Sequence, residues 1–242
     1  MGGVAGERAP AGVVTPRRAA PAPLSLALQA RPRGGLTVLC LGAHADDIEI
    51  GCGGAILALL AARRDVDCHW VVFSGGGTPR EREARKSADL FLAGAKRHHL
   101  TVHGFRDGFF PYVGGEVKDA FEALAREVDP DVVFTHTRGD RHQDHRVVSD
   151  LTWNTFRRHL ILEYEVPKYD GDLGHPNLFV PLSAAVARAK IRHLRAAFGS
   201  QRSKRWFTVD TFHGLLRLRG VESGAAEGLA EAFYGRKAVL AL

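Results

Sequence analysis

From Leu36 onward, two hydrophobic periods alternate along the chain. Short apolar, β-branched runs are each followed by a stretch with apolar residues at helical spacing, the order of a parallel sheet joined by crossover helices. The runs Leu36–Leu41, Cys68–Ser74, His99–Gly104 and Asp131–Thr135 read as strands, the third more weakly than the others. Helices are expected over Gly53–Arg63, from Pro79 to about Gly94, over Val117–Val128 and over Arg146–Phe156. Pro79 falls just inside its helix, where a missing N–H is tolerated. Beyond these, Leu160–Val166 is strand-like, and Lys168–Asn177 is a loop rich in Gly, Pro and Asp. The run LFVPL follows, then an amphipathic helix over Ser183–Phe198. The remainder, through Val221 and from Ala225 to Phe233, reads as further helix. The fold class expected is therefore α/β: a mostly parallel sheet with helices on both faces, as a single domain over residues 36–242.

Residues 1–35 break the pattern. They are rich in Ala, Pro, Gly and Arg with almost no large apolar side chains, so they cannot bury enough surface to offset their ordering entropy. A disordered leader is expected. Arg17-Arg18 ahead of Leu24–Leu28 faintly resembles an export signal, but the apolar part is short and interrupted by Pro21 and Pro23. A cytoplasmic protein is the reading adopted.

Composition narrows the partners. No apolar run approaches the roughly 20 residues that span a bilayer, so no membrane span is expected. The net charge of +6 points to nucleic acid until it is located: five arginines against Glu7 in the leader carry four of those charges. No basic stripe interleaved with aromatics remains in the folded part, and a nucleic-acid partner is not expected. Cys40, Cys52 and Cys68 form no CxxC pair and read as buried, reduced thiols, with Cys52 as an alternative extra ligand.

Candidate chemistry sits at two strand ends. His44-Ala45-Asp46-Asp47 follows the first strand, and His136-Thr-Arg-Gly-Asp-Arg-His142-Gln-Asp144-His145 follows the fourth. Carboxyl ends of strands are where open α/β sheets gather ligands. Adjacent carboxylates resist joint ionisation unless a cation compensates them, which makes a divalent metal the natural candidate. His44 and Asp47 from one loop and His145 from the other supply two imidazoles and a carboxylate, the count of a catalytic zinc site with an open position. Zinc is the default ion, and iron or another divalent ion suits the same donors. Asp46, beside a ligand, is placed to act as general base; His142 to donate a proton or stabilise an oxyanion; Asp144 to orient an imidazole. Taken singly, each cluster is equally a turn, a helix cap or a solvated loop, as His98, His99, His103, His159 and His193 are read.

LGAHADDIEIGCGG resembles the PHPDD-type signature of the PIG-L/LmbE family of zinc-dependent deacetylases, and HQDHR resembles that family's downstream HPDH signature. SGGGTPREREARKSA is similar to its glycine loop and arginine-bearing helix, and AEAF near Ala230–Phe233 is a weaker match. The resemblance implies a Rossmann-like fold and removal of an N-acetyl group from an amino sugar, free or in a glycoconjugate. By the family's pattern His44, Asp47 and His145 bind zinc, Asp46 is the base, His142 assists at the tetrahedral intermediate, and Arg82 contacts sugar hydroxyls. A homo-oligomer is compatible with it. The chain departs from the pattern at Ala45 (usually proline), at Ile48 (often an acid) and at Asp140, where a subgroup carries a catalytic tyrosine; Tyr164, Tyr169 and Tyr112 are the alternative hydroxyls. The polar loop bearing Glu163, Glu165, Asp170, Asp172 and His175 is read either as a substrate-selecting wall or as plain acidic surface. Two other readings stand beside the enzyme: a nucleotide-binding Rossmann protein, resting on Gly51-Cys52-Gly53-Gly54, and a metal-binding but inactive homologue.

Overall fold

The computed structural model describes residues 1–2 and 34–239, so the leader expected over residues 1–35 lies almost wholly outside the described residues. Seven strands form one sheet: β1 (Leu36–Gly42), β2 (Val66–Ser74), β3 (Arg97–Phe105), β4 (Val132–His136), β5 (Leu160–Tyr164), β6 (Leu178–Pro181) and β7 (Ala230–Gly235). Their order is β3-β2-β1-β4-β5-β7-β6. β1 to β5 are parallel, and β7 runs antiparallel to both its neighbours. The helices are α1 (Asp47–Ala62), α2 (Pro79–Phe91), α3 (Gly114–Glu127), α4 (Gln143–Thr155), α5 (Ala184–Ala197) and α6 (Val209–Glu222). No helix among the described residues is long and apolar enough to cross a membrane.

The expected α/β class holds, and its cause is visible in β1. Side chains alternate across a strand, so Val38 and Cys40 enter one core while Leu39 and Leu41 enter the other. The first core is closed by α1, α2, α5 and α6, the second by α3 and α4. A strand covered on both faces needs apolar residues at every position, which is why LTVLCLG lacks a polar-apolar alternation. Cys40, Cys52 and Cys68 are buried and free, as expected.

Two elements differ from the sequence reading. α1 begins at Asp47, six residues before the expected start at Gly53, so Gly51, Gly53 and Gly54 lie inside the helix and form no phosphate-cradling loop. The absent side chains serve close packing. An ideal Cβ at Gly51 would overlap the ring of Tyr164, and at Gly53 it would come within 2.6 Å of Phe91. Gly51→Ala is accordingly expected to cost about 1–3 kcal/mol through overpacking, measured by denaturant unfolding. An unchanged midpoint would show that Tyr164 can move aside.

The second difference is the end of Ala225–Phe233, expected as helix: Ala230–Gly235 is found as β7. Its alanines and glutamate favour a helix in isolation, but the segment fills the gap between β5 and β6 and pairs with both. Glu231 then reaches α1, accepting from Gly54 N at 2.7 Å and Ala55 N at 2.6 Å, while Lys190 pairs with it at 2.5 Å and donates to Ile50 O at 2.6 Å. A buried ion pair from α5 and β7 thus grips the middle of the helix that begins at Asp47.

Candidate active site

β1 and β4 lie side by side, and the chain leaves them in opposite directions, to β2 and β3 on one side and to β5 on the other. Loops after two such strands diverge, leaving a crevice at their carboxyl ends. His44, Asp46 and Asp47 enter it from β1; His136, Asp140, His142, Asp144 and His145 enter it from β4. The crevice widens into a cleft of about 750 Å³.

Three atoms converge at its floor. His44 Nδ1 lies 3.1 Å from His145 Nε2 and 3.3 Å from Asp47 Oδ2, and His145 Nε2 lies 3.4 Å from the same oxygen. A tetrahedral ion with bonds of about 2.0–2.1 Å has ligand-to-ligand edges of about 3.3–3.4 Å. The donor set and its spacing therefore fit a divalent metal, and the residues that sequence spacing singled out for one are brought together.

Electrostatics agree with that fit. Burial disfavours charge on Asp47, yet His145, His136 and His44 together hold its carboxyl well below the usual range. Burial lowers the pKa of His145 to about 4, so the ring is neutral; with Nδ1 bonded to Asp140 at 2.9 Å, its Nε2 lone pair faces the convergence point. For His44 burial also opposes charge, but Asp47, Asp107 and Asp144 raise its pKa well above the histidine norm. A proton on His44 thus stands where a cation would, and metal uptake is expected to release it.

Each imidazole is held from behind. Asp144 is fully buried; it accepts from Gly108 N at 2.6 Å and Phe110 N at 3.1 Å, and its Oδ2 meets His44 Nε2 at 3.1 Å. The imidazole it touches is that of His44. Asp140 does the same for His145, a part the sequence reading did not give it. Its other oxygen accepts from His142 N at 2.8 Å and from Lys168 Nζ at 3.0 Å. Burial works against the Asp140 charge, but His145, His136 and Lys168 hold its pKa far below normal. Asp140→Asn is expected to weaken metal affinity about 10–100-fold, read by calorimetric titration. A wild-type isotherm would reduce Asp140 to a cap of the loop.

His136 is the other residue that sequence reasoning passed over. It ends β4 fully buried, accepts from Ala43 N at 3.0 Å, lies 3.3 Å from Asp47 Oδ2 and stacks on His145 with centroids 3.8 Å apart. The available signal was a histidine at the last position of a wholly buried strand, VVFTH.

Asp46 and His142 flank the triad on the cleft side. Asp46 precedes the first turn of α1, and burial pushes its pKa up to about 7 against the pull of Arg80. His142 caps α4, its Nδ1 accepting from Asp144 N at 3.3 Å, which leaves Nε2 as the donor of the neutral ring. Burial and the nearby His44 keep His142 below its usual pKa.

The helix arginine in the cleft is Arg80, not Arg82. Thr78 caps α2 and Pro79 opens it, so Arg80 faces inward, donating to Asp46 Oδ1 at 2.9 Å and to Ala45 O. Arg82, two residues on and about 200° around the helix, is exposed and outside the cleft. Of the three tyrosines, Tyr164 is fully buried with its hydroxyl donating to Leu41 O at 2.6 Å, and Tyr112 is exposed away from the cleft; Tyr169 lines it. Lys168 and Asp170 of the polar loop also line it, whereas His175 and Cys52 do not. Lys204 and Trp206, beyond α5, also line the cleft without having been singled out beforehand.

Comparison with known proteins follows the same residues. Residues 39–156, which carry both motifs, match the family model for GlcNAc-PI de-N-acetylase, PIG-L. The uncharacterized deacetylase YaiS of Escherichia coli K12 is 32% identical over 143 residues, covering 54% of this chain and 74% of that protein. The fold extends further than the sequence similarity. The N,N'-diacetylchitobiose deacetylase of Pyrococcus horikoshii superposes with a TM-score of 0.64 at 23% identity, over 86% of each chain. GalB of Pseudomonas putida KT2440, a 4-carboxy-2-hydroxymuconate hydratase, gives 0.64 at 16% identity over 86% of this chain and 98% of that one. One fold thus serves a deacetylase and a hydratase, so architecture alone does not name a reaction. With both motifs in the matched segment and a deacetylase relative aligned over three-quarters of its own length, the chain belongs to the PIG-L, GlcNAc-PI de-N-acetylase, family.

Proposed function

We propose that this protein is a zinc-dependent N-deacetylase that hydrolyses the acetamide of an N-acetylated amino sugar, free or in a glycoconjugate. One observation carries the reading: His44 Nδ1, Asp47 Oδ2 and His145 Nε2 stand 3.1–3.4 Å apart, and Asp46 and His142 line the same open cleft. His44, Asp47 and His145 would hold the ion. Bound there, zinc would supply Lewis acidity and bring the pKa of water down to about 7.

The chain's own groups account for the rest. Asp46 removes a proton from the attacking water and delivers it to the departing amine, a role that needs a carboxylate poised near neutrality. His142 donates from Nε2 to the oxygen of the acetamide carbonyl as charge gathers on it. Asp144 and Asp140 keep His44 and His145 from turning. Arg80, tied to Asp46 and Ala45, is placed to meet sugar hydroxyls, while Tyr169 and Trp206 offer apolar faces to a sugar ring. Acetate release from a panel of N-acetylated monosaccharides, chitobiose, nucleotide sugars and lipid-linked sugars tests the reading, with the Asp46→Asn protein as blank. Release from at least one class, abolished by chelation and restored by zinc, is expected. A protein without stoichiometric metal, indifferent to chelators, would end it.

A further inference from the structure

β2 and β3 bring together a second set of donor side chains, well away from the cleft. His69 and His99 are register partners across these strands, with rings stacked at 4.5 Å and 14° apart in plane. Asp67, two residues before His69, shares its face of β2, and its Oδ1 lies 3.5 Å from His99 Nε2. One donor atom from each of the three lies within 4.8 Å of the others. From His69 to Ser74, where β2 meets the cleft, is about 17 Å of strand at about 3.3 Å per residue.

The carboxylate is split between two tasks. Arg97 places both its donors on Oδ2, at 2.9 and 2.6 Å. Oδ1 is buried without a hydrogen-bond partner among the described residues, a costly state for a carboxylate oxygen. His69 is half-buried, and burial together with His99 keeps its pKa below the usual value, so its lone pair is free at neutral pH. His99 is exposed and can turn to close the set.

We propose that Asp67, His69 and His99 form a peripheral binding site for a divalent transition-metal ion, with its remaining positions open to water. Two imidazoles and a carboxylate select zinc, nickel or copper over magnesium, which prefers oxygen ligands throughout. An ion there clips β3, the exposed edge strand, to β2. The charge of Arg97 nearby makes the site weaker than the one in the cleft.

The test is calorimetric titration of metal-stripped protein with Zn²⁺ and, in parallel, Mg²⁺, comparing wild type with His99→Gln and His69→Gln. The expected result is two zinc ions per wild-type chain and one per chain in either variant, with no heat from Mg²⁺ at this site. The His99→Gln side chain is exposed, so folding is preserved, and acetate release is expected to be unchanged. If the cleft reading alone is wrong, wild type binds one ion and His99→Gln none. An isotherm that neither glutamine variant alters overturns the peripheral site, whatever the stoichiometry.

Discussion

Replacing His145 with alanine is expected to remove the ion of the cleft, one equivalent of metal fewer than the wild type holds, and, with it, all measurable acetate release. Of the three convergent donors, His145 is the most committed to its position. It is 2% exposed, stacked on His136, fixed by Asp140 at 2.9 Å, and held neutral by burial so that its lone pair stays available. Deleting it leaves His44 and Asp47, three residues apart, as a two-point site. The affinity loss should exceed the 10–100-fold that removal of a supporting partner costs. Alanine also opens a space beneath His136, so His145→Gln serves as the volume-preserving control. Metal analysis after gel filtration, with circular dichroism to confirm folding, decides the matter. A folded His145→Ala protein that keeps the full wild-type metal content would show that His145 holds no ion.

Asp46→Asn is expected to behave in the opposite way: metal retained, rate reduced by about 10²–10⁴, the usual weight of general acid–base catalysis. The adjacent Asp47 carboxylate points to the imidazoles, whereas Asp46 points to Arg80. Loss of its charge therefore leaves the ligand set intact. The pH dependence carries a second signature. Asp46 acts as a base only when ionised, so the rate falls as pH drops through its pKa. That pKa is about 7 without an ion, and a bound cation lowers it. The acid limb of the wild-type profile should therefore lie below pH 7 and be absent from Asp46→Asn. Because Arg80 pulls the same pKa down, Arg80→Gln should move the limb to higher pH. An Asp46→Asn enzyme with a wild-type rate would reassign the base.

Motif order made much of the site legible. His44 and Asp47, three apart after one strand, and His145, after another, are short-range patterns whose meaning depends only on both strands ending at the same edge of one sheet. The parallel βα alternation made that outcome nearly unavoidable. Residues whose role depends on orientation were not legible. Arg80 and Arg82 differ by 200° around a helix, and only the register set by the Thr78 cap decides which one faces Asp46. Asp140 and His136 sat in plain view between the motifs, but what each contacts depends on a loop path that propensity does not encode. Lys204 and Trp206 reach the cleft because α5 packs on α1 and α2, a contact made across more than a hundred residues of sequence.

The glycines of α1 and the strand at Ala230–Gly235 teach the same lesson from the fold. Sequence read alone starts the first helix only at Gly53 and reads Ala225–Phe233 as helix, since intrinsic preference is all it can weigh. In the folded chain the missing Cβ atoms admit Tyr164 and Phe91, and the edges of β5 and β6 both pair with Ala230–Gly235. By itself the sequence determined the α/β class, the two strand-end clusters and the donor types, because these follow from local periodicity and side-chain chemistry. The tertiary structure decided where α1 begins, which arginine faces the carboxylate and that Asp140 meets His145, because each depends on the direction of a side chain relative to a distant neighbour.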